Sequence, residues 1–473
     1  MTEEKRDLSL FSFICLGVGS VIGSGVFAMP AVMGGVAGPS LILATFLTGL
    51  FTLFPALSYA ELASAFPISG GPYSLPRKAF GDLAGFLIGW GYFLCLFIGT
   101  AAVIDIFVVY LGFYFPVLSN GETLSFYGIL AAIATVWLFT IMNIIGVKWG
   151  GYYGIITTIG KLIPLLIFVL VGLKFQKLPN FTPFFPFGFG GMALSISLVF
   201  WSYLGIEGMV VVSSEVKNPS KNIPLGIIWS MVLIVFFYLI VAGVFVGMLD
   251  FKALNITSWK DVGQLPFPLA DVFLAVKRPY MAVLMTIGAI IATAGAAGSW
   301  ILIQGRMPFS MAKDQLFFSG FKKLSPRFRT PVRGLVFTSI LTSLVIILIP
   351  NFPSVALMAS ITAVIPYAAA LLALPVLRKK LPNEKRPFRL KAHKTLTCIG
   401  FILMSFLIYW ASWPWTFVGM ILIIGSFPFY FIFHKNKPHY RGVIWFFCYL
   451  TGIVIVSLLG DPKYSFQNFT PIE

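Results

Sequence analysis

The chain has 473 residues, of which 58% are hydrophobic and only 10% are charged, and its mean hydropathy is +0.94. Soluble domains carry roughly a quarter charged residues, so this composition excludes an ordinary water-soluble fold and indicates a membrane protein. The net charge of +17 does not indicate nucleic-acid binding, because the basic residues lie in short stretches between long apolar runs and no nucleic-acid-binding motif occurs.

Apolar runs of membrane-spanning length recur along the whole chain. An α-helix needs about 20 mostly apolar residues to cross the hydrocarbon core of a bilayer, and the pattern lacks the alternating ten-residue strands of a β-barrel. We therefore predict an all-α polytopic membrane protein with about 13 transmembrane helices in a single domain, 1–473. The predicted spans are 8–36, 39–66, 83–115, 125–146, 150–173, 188–213, 224–249, 279–305, 334–350, 354–377, 395–412, 415–433 and 442–459.

The distribution of lysine and arginine predicts the orientation. If the N-terminus is cytoplasmic and the spans alternate, 25 of the 33 basic residues fall in inner segments and seven in outer segments, and Lys161 lies within a span. Inner segments of membrane proteins carry the excess of positive charge. We therefore expect a multi-pass protein of the cell membrane, with its N-terminus inside and its C-terminus outside; the basic segment His434–Arg441 favours thirteen spans over twelve.

The residues that usually carry catalysis or bind metal are sparse. The four cysteines lie in apolar runs at unrelated spacings, so neither a disulfide framework nor a zinc site is predicted. The three histidines lie in predicted inner loops, and no Ser/His/Asp set accompanies them. We predict no catalytic residue, no metal and no cofactor.

A few charged side chains fall within or at the ends of predicted spans. Asp105 and Glu207 lie inside spans, Glu61 lies near the inner end of one, and Lys161 is the one basic residue within a span. Charges in hydrocarbon are costly, so each indicates a functional role or a buried partner.

Span one contains a cluster of small residues, Gly17-Val-Gly-Ser-Val-Ile-Gly-Ser-Gly-Val-Phe. Each glycine weakens a helix by roughly 1 kcal/mol, and an unwound backbone would turn its N–H and C=O groups toward a cavity. A close-packing face of small residues is the alternative interpretation. A dinucleotide-binding loop is excluded, because an apolar span offers no βαβ context.

Span six carries a similar signal, Phe200-Trp-Ser-Tyr-Leu-Gly-Ile-Glu-Gly. Glycine-interrupted spans at positions one and six are typical of an inverted repeat of five plus five spans, here 8–173 and 188–377, with additional C-terminal helices in 395–459. Half-helix N-termini attract an anionic group, and unwound carbonyls attract a cationic one. A zwitterion fits such a site, and an amino acid is the simplest zwitterion.

Four sequence blocks resemble the amino acid–polyamine–organocation (APC) superfamily of permeases. They are Gly23-Ser-Gly-Val-Phe; Ala60-Glu-Leu-Ala-Ser-Ala-Phe-Pro-Ile-Ser-Gly-Gly-Pro-Tyr; Tyr203-Leu-Gly-Ile-Glu with Glu215-Val-Lys-Asn-Pro-Ser-Lys-Asn-Ile-Pro; and Gly298-Ser-Trp with Gly305-Arg-Met-Pro-Phe-Ser-Met-Ala-Lys-Asp-Gln. The blocks cover roughly residues 10 to 315. A thirteenth span departs from the twelve that are usual in the superfamily.

The resemblance implies a LeuT-type fold with broken helices 1 and 6 and with substrate held between the two breaks. Ser24 and Gly25 would offer backbone N–H groups to a substrate carboxylate, and carbonyls around Tyr203 and Gly205 would accept its ammonium group. The substrate-binding stretch of span one implied in this way consists of Ile22, Gly23, Ser24 and Gly25.

The resemblance also implies gating residues. Trp201 matches the aromatic that caps substrate in arginine/agmatine antiporters, Trp300 matches a second gating tryptophan, and Glu207 matches an acid linked to proton sensing or gating; packing aromatics are the alternative for both tryptophans. Where those antiporters carry an asparagine near the guanidinium, this chain has Thr100, followed five residues later by Asp105.

Lys161 matches the lysine of proton-coupled, sodium-independent superfamily members, where it lies at the sodium position of related symporters. Its ammonium would hold spans one, five and eight together. Because burial disfavours the charged form of a lysine, proton release from Lys161 would couple to transport; a permanently charged structural strut is the alternative.

These features predict a sodium-independent amino acid transporter, either a proton symporter or an exchanger. The alternative is an antiporter of a basic amino acid or polyamine, in which Asp105 and Glu207 would face the second positive charge. A receptor would need a signalling domain, and a channel would show a filter or a charged ring; the sequence has neither. Some exchangers of the superfamily also bind a single-span accessory subunit, so such a partner is a further expectation.

Overall fold

A computed structural model describes residues 8–67, 71–121, 123–146, 150–411, 413–433 and 444–460. The loop 68–70 of the second sequence block and the basic segment 434–441 lie outside these residues. Within the described ranges the chain is almost entirely helical, apart from a two-stranded hairpin of β1 (Ser119–Asn120) and β2 (Thr123–Leu124) and two isolated bridges.

The first five predicted spans contain helices, and an extra short helix follows the second span. In chain order these are α1 (Leu10–Val21), α2 (Ser24–Ala37), α3 (Leu41–Ala65), α4 (Gly71–Phe80), α5 (Asp82–Gly112), α6 (Phe126–Ile145) and α7 (Gly150–Gly172).

The next five spans are also helical, with two short helices in the long outer segment after the seventh. They are α8 (Gly188–Tyr203), α9 (Glu207–Val211), α10 (Pro219–Met248), α11 (Trp259–Val262), α12 (Pro268–Ala275), α13 (Pro279–Lys313), α14 (Val332–Leu348) and α15 (Phe352–Lys380).

The C-terminal part adds four helices, and short 3₁₀ turns connect several elements. The helices are α16 (His393–Tyr409), α17 (Trp415–Ile424), α18 (Phe427–Phe433) and α19 (Ile444–Gly460). The 3₁₀ turns are Gly38–Ser40, Pro116–Leu118, Leu173–Phe175, Leu178–Phe181, Ser213–Glu215 and Ser319–Lys322.

Several helices begin and end at residues whose chemistry explains the boundary. The Ser9 hydroxyl accepts the N–H of Ser12 at the start of α1, and Asn351 caps α15 in the same way. Such side-chain acceptors satisfy N–H groups that lack a partner in the first turn. Gly146, with φ of 69°, closes α6 in the left-handed conformation that glycine adopts without cost.

Nine helical segments among the described residues are long and apolar enough to cross a membrane, and four further apolar helices are shorter. The prediction of an all-α, multi-pass membrane protein is therefore confirmed. The count of thirteen crossings remains a prediction, because the shorter helices do not reach spanning length by themselves.

Burial separates the inner helices from those that contact lipid. The most apolar windows of α5 and α15 are 89% and 94% buried, whereas those of α6 and of the segment Thr157–Phe175 are 28% buried. Leu138 and Leu170 are among their exposed side chains. An exposed apolar surface of this kind needs hydrocarbon around it.

The segments predicted to be inner lie together at one end of the helix bundle. Lys380 Nζ donates to the carbonyl of Ala79, 2.8 Å away, and Gly71 packs against Val211. Asp314, just after α13, accepts hydrogen bonds from the Tyr73 hydroxyl and from an Arg77 nitrogen at 2.7 Å. This end of the bundle is called the predicted inner face below.

Candidate functional site

Span one is interrupted where its glycines cluster: α1 ends at Val21 and α2 begins at Ser24. Ile22 between them has an extended backbone (φ −70°, ψ 95°), and Gly23 is also non-helical. The last carbonyls of α1 and the first N–H groups of α2 therefore lack partners within their own helices. The predicted break in span one is confirmed.

Span six is interrupted between Tyr203 and Glu207. Gly205 in the gap has φ of 116°, and a Cβ added there would lie 2.6 Å from the carbonyl oxygen of Ser20 in α1. Glycine is needed here both for the backbone conformation and for the close approach of the two chains. The predicted break in span six is confirmed as well.

The two breaks contact each other. The Ser20 hydroxyl donates to the carbonyl of Gly205 at 3.1 Å, and Gly25 packs so closely on Ser202 that an added Cβ would lie 2.3 Å from its hydroxyl oxygen. Unwound backbone from both spans therefore meets at one buried place, as a polar site within a membrane requires.

A tyrosine that the sequence analysis did not single out joins both breaks. Tyr238 of α10 is buried, and its hydroxyl lies 3.1 Å from the carbonyl oxygen of Val21 and 2.8 Å from that of Ser202. The pattern of span seven gave no signal for this role, because aromatic residues are common throughout the apolar runs.

An aromatic group lies beside the breaks. The rings of Trp201 and Trp300 are 5.5 Å apart, and Phe352 lies 6.3 Å from Trp201. The Trp201 indole N–H donates to the Ser24 hydroxyl at 3.3 Å. The structure thus brings both predicted tryptophans to the break in span one.

Trp300 packs tightly on α5. A Cβ added at Gly99 would lie 2.2 Å from the Trp300 ring, so glycine makes room for the indole. The neighbouring Thr100 is fully buried, and its hydroxyl donates to the carbonyl of Leu96 in its own helix at 2.8 Å. The Thr100 hydroxyl is therefore already satisfied locally.

Glu207 begins α9 and joins the break to α15. One of its carboxylate oxygens accepts the N–H of Gly205 at 2.9 Å and the hydroxyl of Tyr367. Tyr367 in turn packs edge-on against Tyr59 of α3, with ring centroids 6.0 Å apart. Tyr367 and Tyr59 were missed by the sequence analysis, because their contacts join positions more than 150 residues apart.

Lys161 reaches span one. Its ammonium donates to the carbonyl of Gly19, one turn before the break, and its side chain is 3% exposed. Toward span eight, Gly160 packs against Ile291 of α13. The lysine therefore lies in the contact between α7 and α1 and joins the two helices by this hydrogen bond.

Asp105 forms no hydrogen bond with either break. It is buried, and neither carboxylate oxygen has a hydrogen-bond partner among the described residues. It lies six residues after Gly99, which is about 120° further round the helix at 100° per residue. Because Gly99 faces Trp300, helix geometry places Asp105 on a different side of α5 from the one that contacts Trp300.

The backbone of Tyr203 lies at the break, but its side chain points elsewhere. The Tyr203 hydroxyl donates to the carbonyl of Thr45 in α3 at 2.9 Å. Within the described ranges, no group of three or more histidine, cysteine or acidic residues is positioned to hold a metal ion.

Comparison with known proteins places this architecture in a family. A family model described as amino acid permease matches residues 8–456. The chain is 33% identical to a methylthioribose transporter of Bacillus subtilis, over 81% of this chain and 84% of that protein. It is 27% identical to the branched-chain amino acid permease BcaP of the same organism, over 91% of this chain and 94% of that protein.

A third relative is an arginine/agmatine antiporter of Chlamydia pneumoniae, 29% identical over 97% of this chain and 96% of that protein. The family match extends over nearly the whole described bundle, including both breaks. The chain belongs to the amino acid permease family of the APC superfamily.

Proposed function

We propose that the protein is a sodium-independent secondary transporter that carries an amino acid across the cell membrane by alternating access. The observation that supports this most directly is the meeting of two broken spans, held together by Ser20, Gly205 and Tyr238. Unpaired backbone N–H groups, which carry partial positive charge, and unpaired C=O groups, which carry partial negative charge, meet at one buried place and suit a small zwitterion.

The two ends of the substrate would bind opposite breaks. The N–H groups of Ser24 and Gly25 open α2, where the helix dipole favours a carboxylate. Carbonyl oxygens around Tyr203 and Gly205 end α8 and would accept the ammonium group. Trp201 and Trp300 would cover the bound substrate.

The arrangement is proposed to be a LeuT-type inverted repeat, with 8–173 and 188–377 as its halves and 395–459 as additional helices. In support, the breaks fall in the first span of each half, and the halves of the two broken spans pack together, α2 on α8 and α1 on α9. Alternating access would then move these helices against α5 and α13.

The coupling is proposed to be to protons, by symport or exchange, rather than to sodium. The Lys161 ammonium on the Gly19 carbonyl supplies a fixed positive charge between α7 and α1. A metal cation at the same carbonyl would be repelled by it. Loss of a proton from Lys161 would remove the positive charge, and the remaining amine N–H would hold that carbonyl more weakly.

The charges around the site favour a substrate with an uncharged side chain. Glu207 is already engaged by Gly205 and Tyr367. Asp105 forms no hydrogen bond with either break and lies on a different side of α5 from Gly99, which faces Trp300. The alternative, an antiporter of a basic amino acid, is supported by the arginine/agmatine relative. The methylthioribose relative adds a third substrate to test.

The orientation is proposed to be N-terminus inside and C-terminus outside, in the cell membrane. The charge bias supports it, and so does the collection of the predicted inner segments at one end of the bundle.

Uptake by proteoliposomes tests the proposal. A labelled panel of neutral, basic and acidic amino acids together with methylthioribose would be measured with and without sodium, a pH gradient and internal substrate. We expect saturable amino acid uptake that ignores sodium and responds to a pH gradient or to internal amino acid. Preference for arginine would support the antiporter, and uptake of methylthioribose alone would overturn the amino acid assignment.

A further inference from the structure

The segment 379–394, which joins α15 to α16, combines a buried anchor with an exposed basic surface. Five cationic side chains in it are exposed and form no hydrogen bond or ion pair with another residue that the structure describes. They are Lys379, Lys385, Arg389, Lys391 and Lys394. One exposed acid, Glu384, lies among them.

Glu61 of α3 is the anchor. Its side chain is fully buried, and its carboxylate accepts two hydrogen bonds from Arg378, at 2.8 and 2.5 Å. The same carboxylate accepts the backbone N–H of Leu390 at 2.7 Å. A paired buried carboxylate of this kind fixes the geometry of the groups around it.

Two further contacts hold the segment in place. Arg386 lies 3.8 Å from Glu61 and donates to the carbonyls of Leu377 and Leu381. Arg378 also donates to the carbonyl of Leu390 at 2.9 Å. Because two arginines and a backbone N–H are turned inward, the five exposed cations lie on an ordered surface.

An exposed apolar helix surface lies directly beside these cations. On α16, Lys394, Cys398 and Ile402 are four residues apart and exposed, so they share one face of the helix. Ile402 is 49% and Phe406 40% exposed on the same apolar helix. The cations thus lie where an apolar helix surface ends, at the level of lipid headgroups.

We propose that the segment 379–394 is a binding surface for anionic lipid headgroups, with an acyl chain lying along the exposed face of α16. Clustered lysine and arginine next to a membrane helix attract anionic lipid. The phosphate would bind the cations, and Ile402 would contact the chain. This surface is separate from the two breaks, so its test is independent of transport.

Native mass spectrometry of the full-length protein tests the proposal. The protein would be reconstituted in phosphatidylcholine with phosphatidylglycerol and then extracted, and the retained phosphatidylglycerol would be counted. The variant K385Q/R389Q/K391Q/K394Q should retain at least about tenfold less than the wild type, since the four basic residues contribute separately and their effects on binding multiply.

A matched control removes four exposed charges from another loop at the predicted inner face, as K322Q/K323Q/R327Q/R329Q. This control should retain phosphatidylglycerol as the wild type does. An equal loss in both variants would overturn the proposal in favour of general attraction to a basic face. Helical content and melting temperature of each variant identify a folding defect.

Two measurements on the unaltered protein complete the test. Raising the salt concentration to about 1 M should reduce retention of phosphatidylglycerol, because salt screens exposed charges. Addition of inorganic phosphate in phosphatidylcholine alone should produce no bound phosphate. Salt-insensitive retention, or binding of free phosphate as tight as that of lipid, would contradict a headgroup site.

Discussion

The hydroxyl oxygen of Tyr238 lies 3.1 Å from the carbonyl oxygen of Val21, the last residue of α1. It also lies 2.8 Å from the carbonyl oxygen of Ser202 at the other break. A hydroxyl has one proton to donate, so it satisfies one of these carbonyls at a time. In the proposed transporter, the other carbonyl would remain an acceptor for the substrate ammonium group.

Replacing Tyr238 by Phe should weaken substrate binding while keeping the ring in place. Without the hydroxyl the two breaks lose a group that holds them together, and a loss of about 1 kcal/mol in substrate binding, the size of one buried hydrogen bond, would raise the substrate concentration for half-maximal uptake about fivefold. Tyr110→Phe is the matched control, because the Tyr110 hydroxyl donates to the carbonyl of Phe27 within α2 instead. Equal effects of the two variants would mean that Tyr238 only stabilises the fold.

Replacing Lys161 by Ala should abolish the stimulation of uptake by external acid. The change removes the charge and leaves the Gly19 carbonyl without its partner, at a cost of about 1–3 kcal/mol. Lys174→Ala, an exposed lysine just beyond α7, is the control. Undiminished acid-stimulated flux in Lys161→Ala would remove this residue from coupling and leave it as a structural strut.

Replacing Gly25 by Val should block the carboxylate site. Even a Cβ at this position would lie 2.8 Å from the Cα of Ser202, which cannot move away as a flexible side chain can. We expect uptake to fall by about tenfold or more, as for overpacking by roughly 1–3 kcal/mol. Gly243→Ala in α10 adds a Cβ where nothing lies within 4 Å, and should transport normally. Wild-type affinity in Gly25→Val would place the site elsewhere.

Asp271 of α12 should make the outer segment sensitive to pH. Burial raises the pKa of Asp271 from 3.8 to about 7, although its carboxylate accepts the N–H of Phe267. The protonated form is therefore favoured when α12 is packed on α2. This stabilisation is complete below about pH 3.8 and is lost as the pH rises to about 7.

Hydrogen exchange of the α12 amides, corrected for the intrinsic pH dependence, measures this effect. Protection should fall between those two pH values in the wild type and stay constant in Asp271→Asn. Asp261 is the control, because hydrogen bonds from the backbone N–H and hydroxyl of Thr257 lower its pKa. The contribution of Asp261 to stability is lost as the pH falls, so protection of the amides around Asp261 in α11 should fall as the pH is lowered, opposite to the trend in α12. A flat wild-type profile would contradict the role of Asp271.

The sequence was most informative about the site where a residue that is unfavourable within a membrane helix, such as a glycine or a lysine, occurs for one physical reason. The glycines of spans one and six predicted the two breaks because each glycine weakens a helix, and the lysine within span five predicted a role or a buried partner because an isolated charge is costly there. Hydropathy likewise predicted every described membrane helix, because it depends on local composition.

Contacts between distant parts of the chain could not be predicted in this way. Glu61 and Arg378 are 317 residues apart, and nothing local marks them as partners. The direction of Asp105 also depends on how α5 is rotated against its neighbours, which its own span does not determine. Tyrosines such as Tyr367 are hidden among many aromatic residues of similar pattern.

The bridge between Leu8 and Val216 constrains how the protein can open. The Leu8 N–H donates to the carbonyl of Glu215 at 3.0 Å, and the Lys217 N–H donates to the carbonyl of Leu8 at 2.9 Å. These bonds tie the leading end of α1 to the stretch that follows α9. We therefore expect α1 and α9 to move together as one rigid unit. A pair of probes at positions 8 and 216 should keep a constant separation while both probes move relative to α5.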